Sequence, residues 1–406
     1  MSRGLSNFET PRLQQVLAAR RLSQLSLAQL VGVSPSTVSK WCNGLQAPEP
    51  ATLERLAEVV NVEPEWFTRP LQVRLTPPLY RSTVAALSAA REMFEARATW
   101  GQELALALAE YVDFPNLALP ACGFTHVDQI DDTDIESATL ACRDLWKLGR
   151  AAIPDLALAL EGAGVILIRE ETGVSQIEGL STWSPALARP IVYLSADKDN
   201  GYRSRFDLAH ELGHLVLHKH VQVTGDKAQH ALMEQQAHRF AGAFLLPAES
   251  FTDSVRTPAS LDSLLLLKRR WGVSVAAMIM RLNALEIVGN DEKQALFKRR
   301  SARWGAKSEP YDGDRSPETP RLLRRSIELL VNNGVIPLNA MPHHFGLAKH
   351  DIEMLTGLPK GYFNGPAQVI ELATLRHESN TQSRSVGSAQ NGTVVPFIRK
   401  KNSDAT

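Results

Sequence analysis

The sequence predicts a multidomain, mainly α-helical chain with one small β-sheet, an α+β architecture. Three observations predict it. The 406 residues exceed what one core commonly holds. Prolines at Pro64, Pro70, Pro77 and Pro78, and again at Pro310, Pro317 and Pro320, punctuate the chain into segments. Within most segments apolar residues recur at helical spacing, whereas residues 164–194 carry short runs that read as strands.

Residues 12–67 read as several short helices. Ser23 is placed to cap a helix starting at Gln24, with Leu27, Ala28 and Val31 as its apolar face and Gly32 as its end. Ser34 caps the next helix, and Pro35 takes its first position, where the missing N–H costs nothing. Val38 and Trp41 point inward and Gly44 ends it. Ser36, Thr37, Ser39 and Lys40 form a polar outer surface suited to a DNA major groove. Leu53, Leu56, Ala57 and Val60 build a helix behind. This is helix-turn-helix geometry.

Pro64 to Pro78 reads as the exit from this module. Residues 82–112, rich in Ala, Leu, Glu and Arg, predict a long amphipathic helix, used for packing or for dimerisation. Helices follow at 136–150 and 156–160. Strands are expected at 164–169, 177–183 and 190–194, the middle one a candidate edge for an extended peptide. The predicted domains are 9–69, a helical connector 79–135, 136–310, a small helical domain 317–376, and a disordered tail 377–406 rich in Ser, Asn, Gln and Gly.

The next helix carries the chemistry. His210-Glu211-Leu212-Gly213-His214 reads H-E-x-x-H. Residues four apart share a helix face, so His210 and His214 can bind one metal ion together, with Glu211 beside them to take a proton from the attacking water. Phe206, Leu208, Leu212, Leu215 and Val216 bury the rest. A catalytic zinc usually takes a third protein ligand, and Glu234 opens a second helical stretch, apolar at Ala237, Phe240, Ala241, Phe244 and Leu245 and stopped by Pro247. His218 lies eight residues beyond His210, about 12 Å along the axis, too far to share the ion, and reads as a helix-end histidine. His220 and His230 read as surface loop residues, and His238 as a partner that orients a ligand. Tyr193, Tyr202 and His238 are candidate donors to an oxyanion.

The two patterns R-F-x-L-A-H-E-L-G-H-x-x-L-H and E-x-x-A-x-x-F-A-x-x-x-L-x-P resemble the ImmA/IrrE-type metallopeptidase family, the domain of unknown function 955 group. The stretch LKRRWGVSVAAMI at 267–279 extends the likeness, which covers residues 145–310. The resemblance implies His210, His214 and Glu234 as Zn2+ ligands and Glu211 as general base. His238 stands where that family shows Asn or Asp. At the N-terminus, the pattern from Leu22 through Ser34, Val38, Trp41, Asn43 and Gly44 to Pro48 resembles the XRE, or lambda-repressor-like, family. That likeness implies that Gln24, Ser36, Thr37, Ser39 and Lys40 face DNA. The expected fold is therefore an N-terminal helix-turn-helix bundle followed by a zincin-like metallopeptidase domain.

Two functional classes follow. One is a transcriptional regulator whose zinc endopeptidase cuts a partner protein, a repressor encoded nearby in related systems. The other is a transcription factor whose metal domain senses a ligand or partner without proteolysis, or acts in a toxin–antitoxin-like pair. Basic and acidic residues nearly balance over residues 1–70, which predicts modest affinity per copy and two copies, as a homodimer, on an operator. Arg12, Arg20 and Arg21 are the expected phosphate contacts. The formal charge of zero and 44% hydrophobic residues fit an intracellular globular protein. Cys42, Cys122 and Cys142 are widely spaced, which argues against disulfides and cysteine metal sites. The first residues lack a signal-peptide core, and no apolar run reaches membrane-spanning length, so a cytoplasmic location without membrane contact is expected.

Overall fold

Alternation along the strands organises the molecule. In the computed structural model, which describes residues 7–77, 79–80, 88–174, 177–198 and 200–364, a small mixed sheet lies between two helical layers. Its strands are β1 (Leu79–Tyr80), β2 (Ile166–Glu170), β3 (Gly179–Ser184) and β4 (Arg189–Ser195), in the order β1-β3-β4-β2. β2 and β4 run parallel, and the other pairs are antiparallel. Successive side chains of a strand point to opposite faces. Ile166, Ile168, Ile191 and Tyr193 thus join one hydrophobic core, and Leu167, Val192 and Leu194 join the other. The expected strands are present, displaced by one or two residues.

The first layer begins with α1 (Thr10–Arg20), α2 (Gln24–Val31), α3 (Pro35–Cys42) and α4 (Pro50–Val60). Ser23 and Ser34 cap α2 and α3 as their sequence positions require, accepting from the backbone N–H of Ser26 and Thr37. Gly32 ends α2 with φ +77°, a left-handed conformation that a Cβ would strain. Pro64 does not leave the bundle: a 3-10 turn over Pro64–Thr68 buries Trp66 and Phe67 completely. The long helix α5 (Ser88–Ala109) runs beneath this bundle and against the sheet. Residues 82–87 of the expected helix lie outside the described residues. Ala90, Met93, Phe94, Trp100, Leu104 and Leu108 of α5 are buried inside the chain, so the packing role holds and its apolar face is taken. At Gly101 a Cβ would sit 2.0 Å from Ile168 Cδ1, which is why this helix carries glycine where it meets the sheet.

The second layer contains α6 (Asp132–Leu145), α7 (Leu156–Gly162), α8 (Gly201–Leu217), α9 (Lys227–Leu245), α10 (Ala248–Thr252), α11 (Leu261–Trp271), α12 (Val275–Ala284) and α13 (Asn290–Trp304). Carboxylates distant in sequence cap two of them. Glu318 accepts from the N–H groups of Leu156 and Ala157, and Glu309 from those of Val275 and Ala276, each placing negative charge at a helix N-terminus. The chain then returns to the first layer. Helices α14 (Leu322–Asn332), α15 (Met341–Phe345) and α16 (Lys349–Thr356) share a core with α1–α5. The expected tail at 377–406 and the last residues of the 317–376 segment lie outside the described residues. No helix among the described residues is long and apolar enough to cross a membrane.

Candidate metal centre and DNA-facing helix

Helix α8 is capped by Asn200, whose side chain accepts from Arg203 N–H, and it lies against β3 and α9. The α8–α9 crossing is close because Gly213 has no side chain: a Cβ there would stand 3.1 Å from Ala237 Cα and 3.1 Å from Phe240 Cβ. This approach brings Glu234 of α9 to the histidine pair. Glu234 does not open its helix as expected. Asp226 caps α9, which begins at Lys227, seven residues before Glu234, so Glu234 lies well inside the helix.

The three expected ligands converge. His210 Nε2 and His214 Nε2 are 3.1 Å apart; Glu234 Oε2 is 3.4 Å from the first and Glu234 Oε1 3.2 Å from the second. Ligand atoms at 2.0–2.1 Å around a tetrahedral zinc are about 3.3–3.4 Å from one another. The three residues are therefore spaced close to what a tetrahedral zinc requires, with a different Glu234 oxygen nearest each histidine. Glu234 Oε1 and Glu211 Oε2 are buried without a hydrogen-bond partner among the described residues, as expected of atoms awaiting a metal or water. Both histidines are almost fully buried. Burial pushes His210 down to about 3, so its imidazole is neutral and able to ligate. Glu211, beneath β3, is pushed up to about 7 by burial, against the lowering pull of His214 and of the Ser181 hydroxyl.

The remaining ring nitrogens are engaged. His210 Nδ1 lies 2.8 Å from His238 Nδ1, and His214 Nδ1 lies 3.0 Å from His218 Nδ1. His218 is the C-terminal cap residue of α8 and is buried, with its Nε2 3.0 Å from Gln236 Oε1. His220 is exposed, while His230 is in α9 rather than a loop. The two tyrosines proposed as oxyanion donors are elsewhere. Tyr193 donates to buried Glu170, and the Tyr202 ring lies under Lys268 Nζ at 4.5 Å. A cleft of about 690 Å3 opens beside the centre, lined by Glu234, His238, Phe206, Leu232, Met280 and Lys293 among others.

At the other end of the molecule Gln24, Ser36 and Lys40 are exposed, and Thr37 and Ser39 half-buried. The Thr37 hydroxyl shares a 2.8 Å hydrogen bond with Ser34, and Ser39 accepts from Asn43. A family model described as the IrrE N-terminal-like domain matches residues 160–283, and a helix-turn-helix model matches residues 13–67. The chain joins an XRE-type helix-turn-helix domain to an ImmA/IrrE-type domain. No curated protein matches it.

The IrrE-like match ends within α12 and encloses β2–β4, α8 and α9, hence every residue of the ligand triangle. The helix-turn-helix match ends at Phe67, within the 3-10 turn. Two expected phosphate contacts of the helix-turn-helix domain are not available. Arg12 is buried, paired with Glu103 at 2.6 Å and donating to Pro70 O. Arg20 pairs with Asp351 at 2.5 Å. The charge pattern of 1–70 could not show this, because both partners lie outside it. The outer edge of β3 is likewise not open. Leu79 and Tyr80 pair with Ser181 and Leu180, and Thr76 N–H donates to Trp183 O.

Proposed function

We propose that this chain is a DNA-binding transcriptional regulator with a zinc-dependent endopeptidase centre that cleaves a partner regulator. The observation that carries the reading is the convergence of His210, His214 and Glu234 within 3.4 Å of one another, with a buried carboxyl, Glu211, one residue from the first ligand. When bound, zinc supplies a Lewis acid that polarises the scissile carbonyl. Glu211 takes the proton of the attacking water and returns it to the leaving amine, a role suited to a carboxyl raised toward neutrality. His238, beside His210 and on the wall of the cleft, is the remaining candidate donor to the oxyanion. The α3 surface of Ser36, Thr37, Ser39 and Lys40, with Gln24 at the start of α2, enters a major groove. Two copies on two half-sites give the affinity that one copy lacks.

The test is to incubate zinc-loaded protein with the product of the adjacent gene, beside the Glu211→Gln variant. Cleavage by wild type alone supports the reading, and an intact partner in both arms counts against it. One observation favours the alternative, a transcription factor whose metal domain senses without cutting. The chain's own segment sits on the β3 edge, within the strand that carries Ser181 toward Glu211. On that reading Glu211→Gln retains the regulatory response in cells and His210→Ala loses it.

A further inference from the structure

The polar partners behind His214 form a chain whose proton positions can be worked out from its far end. Gln236 Nε2 lies 2.9 Å from Val127 O and 3.0 Å from Ile130 O, both carbonyls in the turn before α6. Two acceptors there fix the amide, since the reversed orientation would set its oxygen against both. Gln236 Oε1 therefore faces His218 Nε2, at 3.0 Å, and can only accept. His218 must carry its proton on Nε2. Its two ring contacts, Gln236 and His214, are neutral groups, and the ring is 2% exposed, so a second proton would leave a buried cation without an anion in contact. With one proton on Nε2, His218 Nδ1 is an acceptor, 3.0 Å from His214 Nδ1. His214 then carries its proton on Nδ1, and its Nε2 lone pair is free on the side facing His210 Nε2 and Glu234.

We propose that His218 and Gln236 are positioning residues: they relay backbone hydrogen-bond direction from residues 127 and 130 into His214 and hold it in the tautomer that can ligate. The inference rests on the metal-centre reading of His210, His214 and Glu234. It also explains why the histidine eight residues beyond His210 is buried although it cannot reach the same ion. His210 meets His238 in a similar nitrogen–nitrogen contact at 2.8 Å.

The test compares His218→Phe, which keeps a ring but removes the acceptor, with His218→Asn, whose Oδ1 can replace Nδ1 as acceptor. Gln236→Leu breaks the far link while leaving both rings, and covers the case in which His218→Phe fails to fold. Two measurements are made on the full chain: the 15N ring shifts of His214 in zinc-free protein, and zinc affinity by chelator competition. The expected result is an Nδ1–H tautomer at His214 in wild type and His218→Asn. In His218→Phe and Gln236→Leu the tautomers mix, and zinc binds about 10- to 100-fold more weakly. A folded His218→Phe with wild-type His214 shifts and zinc affinity within about twofold of wild type overturns the proposal. Neither readout requires cleavage, so the result is independent of whether the wild type cuts any peptide.

Discussion

At the residue scale, Glu211 and the ligand triangle make separable predictions. One zinc per chain is expected in wild type, and little in His214→Ala; metal analysis of dialysed protein checks this. Full metal in Glu234→Ala would remove Glu234 from the centre. Glu211 predicts a pH dependence of known sign. Burial raises its carboxyl to about 7 in the folded chain, above the ~4.3 of an unfolded glutamate. A group raised on folding binds its proton more tightly when folded. Its contribution to stability is complete below about pH 4.3 and is lost as pH climbs through about 7. Zinc-free Glu211→Gln should therefore melt above zinc-free wild type at pH 8, and the advantage should shrink toward pH 5. Equal melting temperatures at pH 8 would contradict the raised carboxyl. Much of this centre is legible in the sequence, because His210, Glu211 and His214 are local to one helix and Glu234 sits in an apolar pattern of its own. The roles of His218 and Gln236 are not legible: they depend on two carbonyls more than a hundred positions away from Gln236.

At the scale of elements, the crossing of α8 and α9 is the part of the fold on which the centre depends. A branched side chain at residue 213 has backbone of α9, not a flexible side chain, in its way. Gly213→Val should push α9 outward, lower the melting temperature, and weaken zinc binding by more than tenfold, on the order of 1.4 kcal/mol or above. Unchanged zinc affinity in a folded Gly213→Val would show that the ligand triangle tolerates a wider crossing. On α3, Ser34→Ala should cost about 1 kcal/mol through loss of the cap, measured by denaturant unfolding. Lys40→Ala should weaken DNA binding without changing stability, and gel shifts at several salt concentrations would show it. The caps of α2 and α3 were readable because Ser23, Ser34 and Pro35 act on their immediate neighbours. The start of α9 was not, since Asp226 stands in a polar stretch without the apolar period. The short β1 carries no strand pattern, and only its partner β3 makes it a strand.

At the scale of the whole molecule, the helix-turn-helix domain is docked through buried charge. Arg97 of α5 pairs with Asp351 of α16 at 2.5 Å and with Glu170 at the end of β2, while Arg20 of α1 holds the other side of Asp351. Arg97→Met would leave two buried carboxylates short of a partner, a loss of about 3–5 kcal/mol by the usual cost of breaking buried pairs. Calorimetry should show wild type melting the first layer and the sheet together, and Arg97→Met separating or lowering that transition. Because Arg12 and Arg20 serve this docking, the domain has few cations left for phosphates. Its DNA affinity should fall only gently with salt, as few counterions are released. The mainly α architecture with a small sheet was legible from period and punctuation. The return of α14–α16 to the N-terminal layer was not, because it depends on pairings such as Arg20 with Asp351, 331 residues apart.

The strand pairing at Thr76 and Leu79–Tyr80 has a consequence for kinetics. An extended peptide adding to the outer edge of β3 must first displace a segment of the same chain. That segment is tethered, so it competes at an effective concentration rather than a bulk one, on the order of millimolar for a short connection. Diluting the protein does not relieve such competition, whereas loosening the tether does. Thr76→Pro, which removes the N–H that donates to Trp183, should therefore lower the KM for an extended peptide and leave kcat nearly unchanged. A KM unaffected by that substitution would mean that peptides reach the centre by another face.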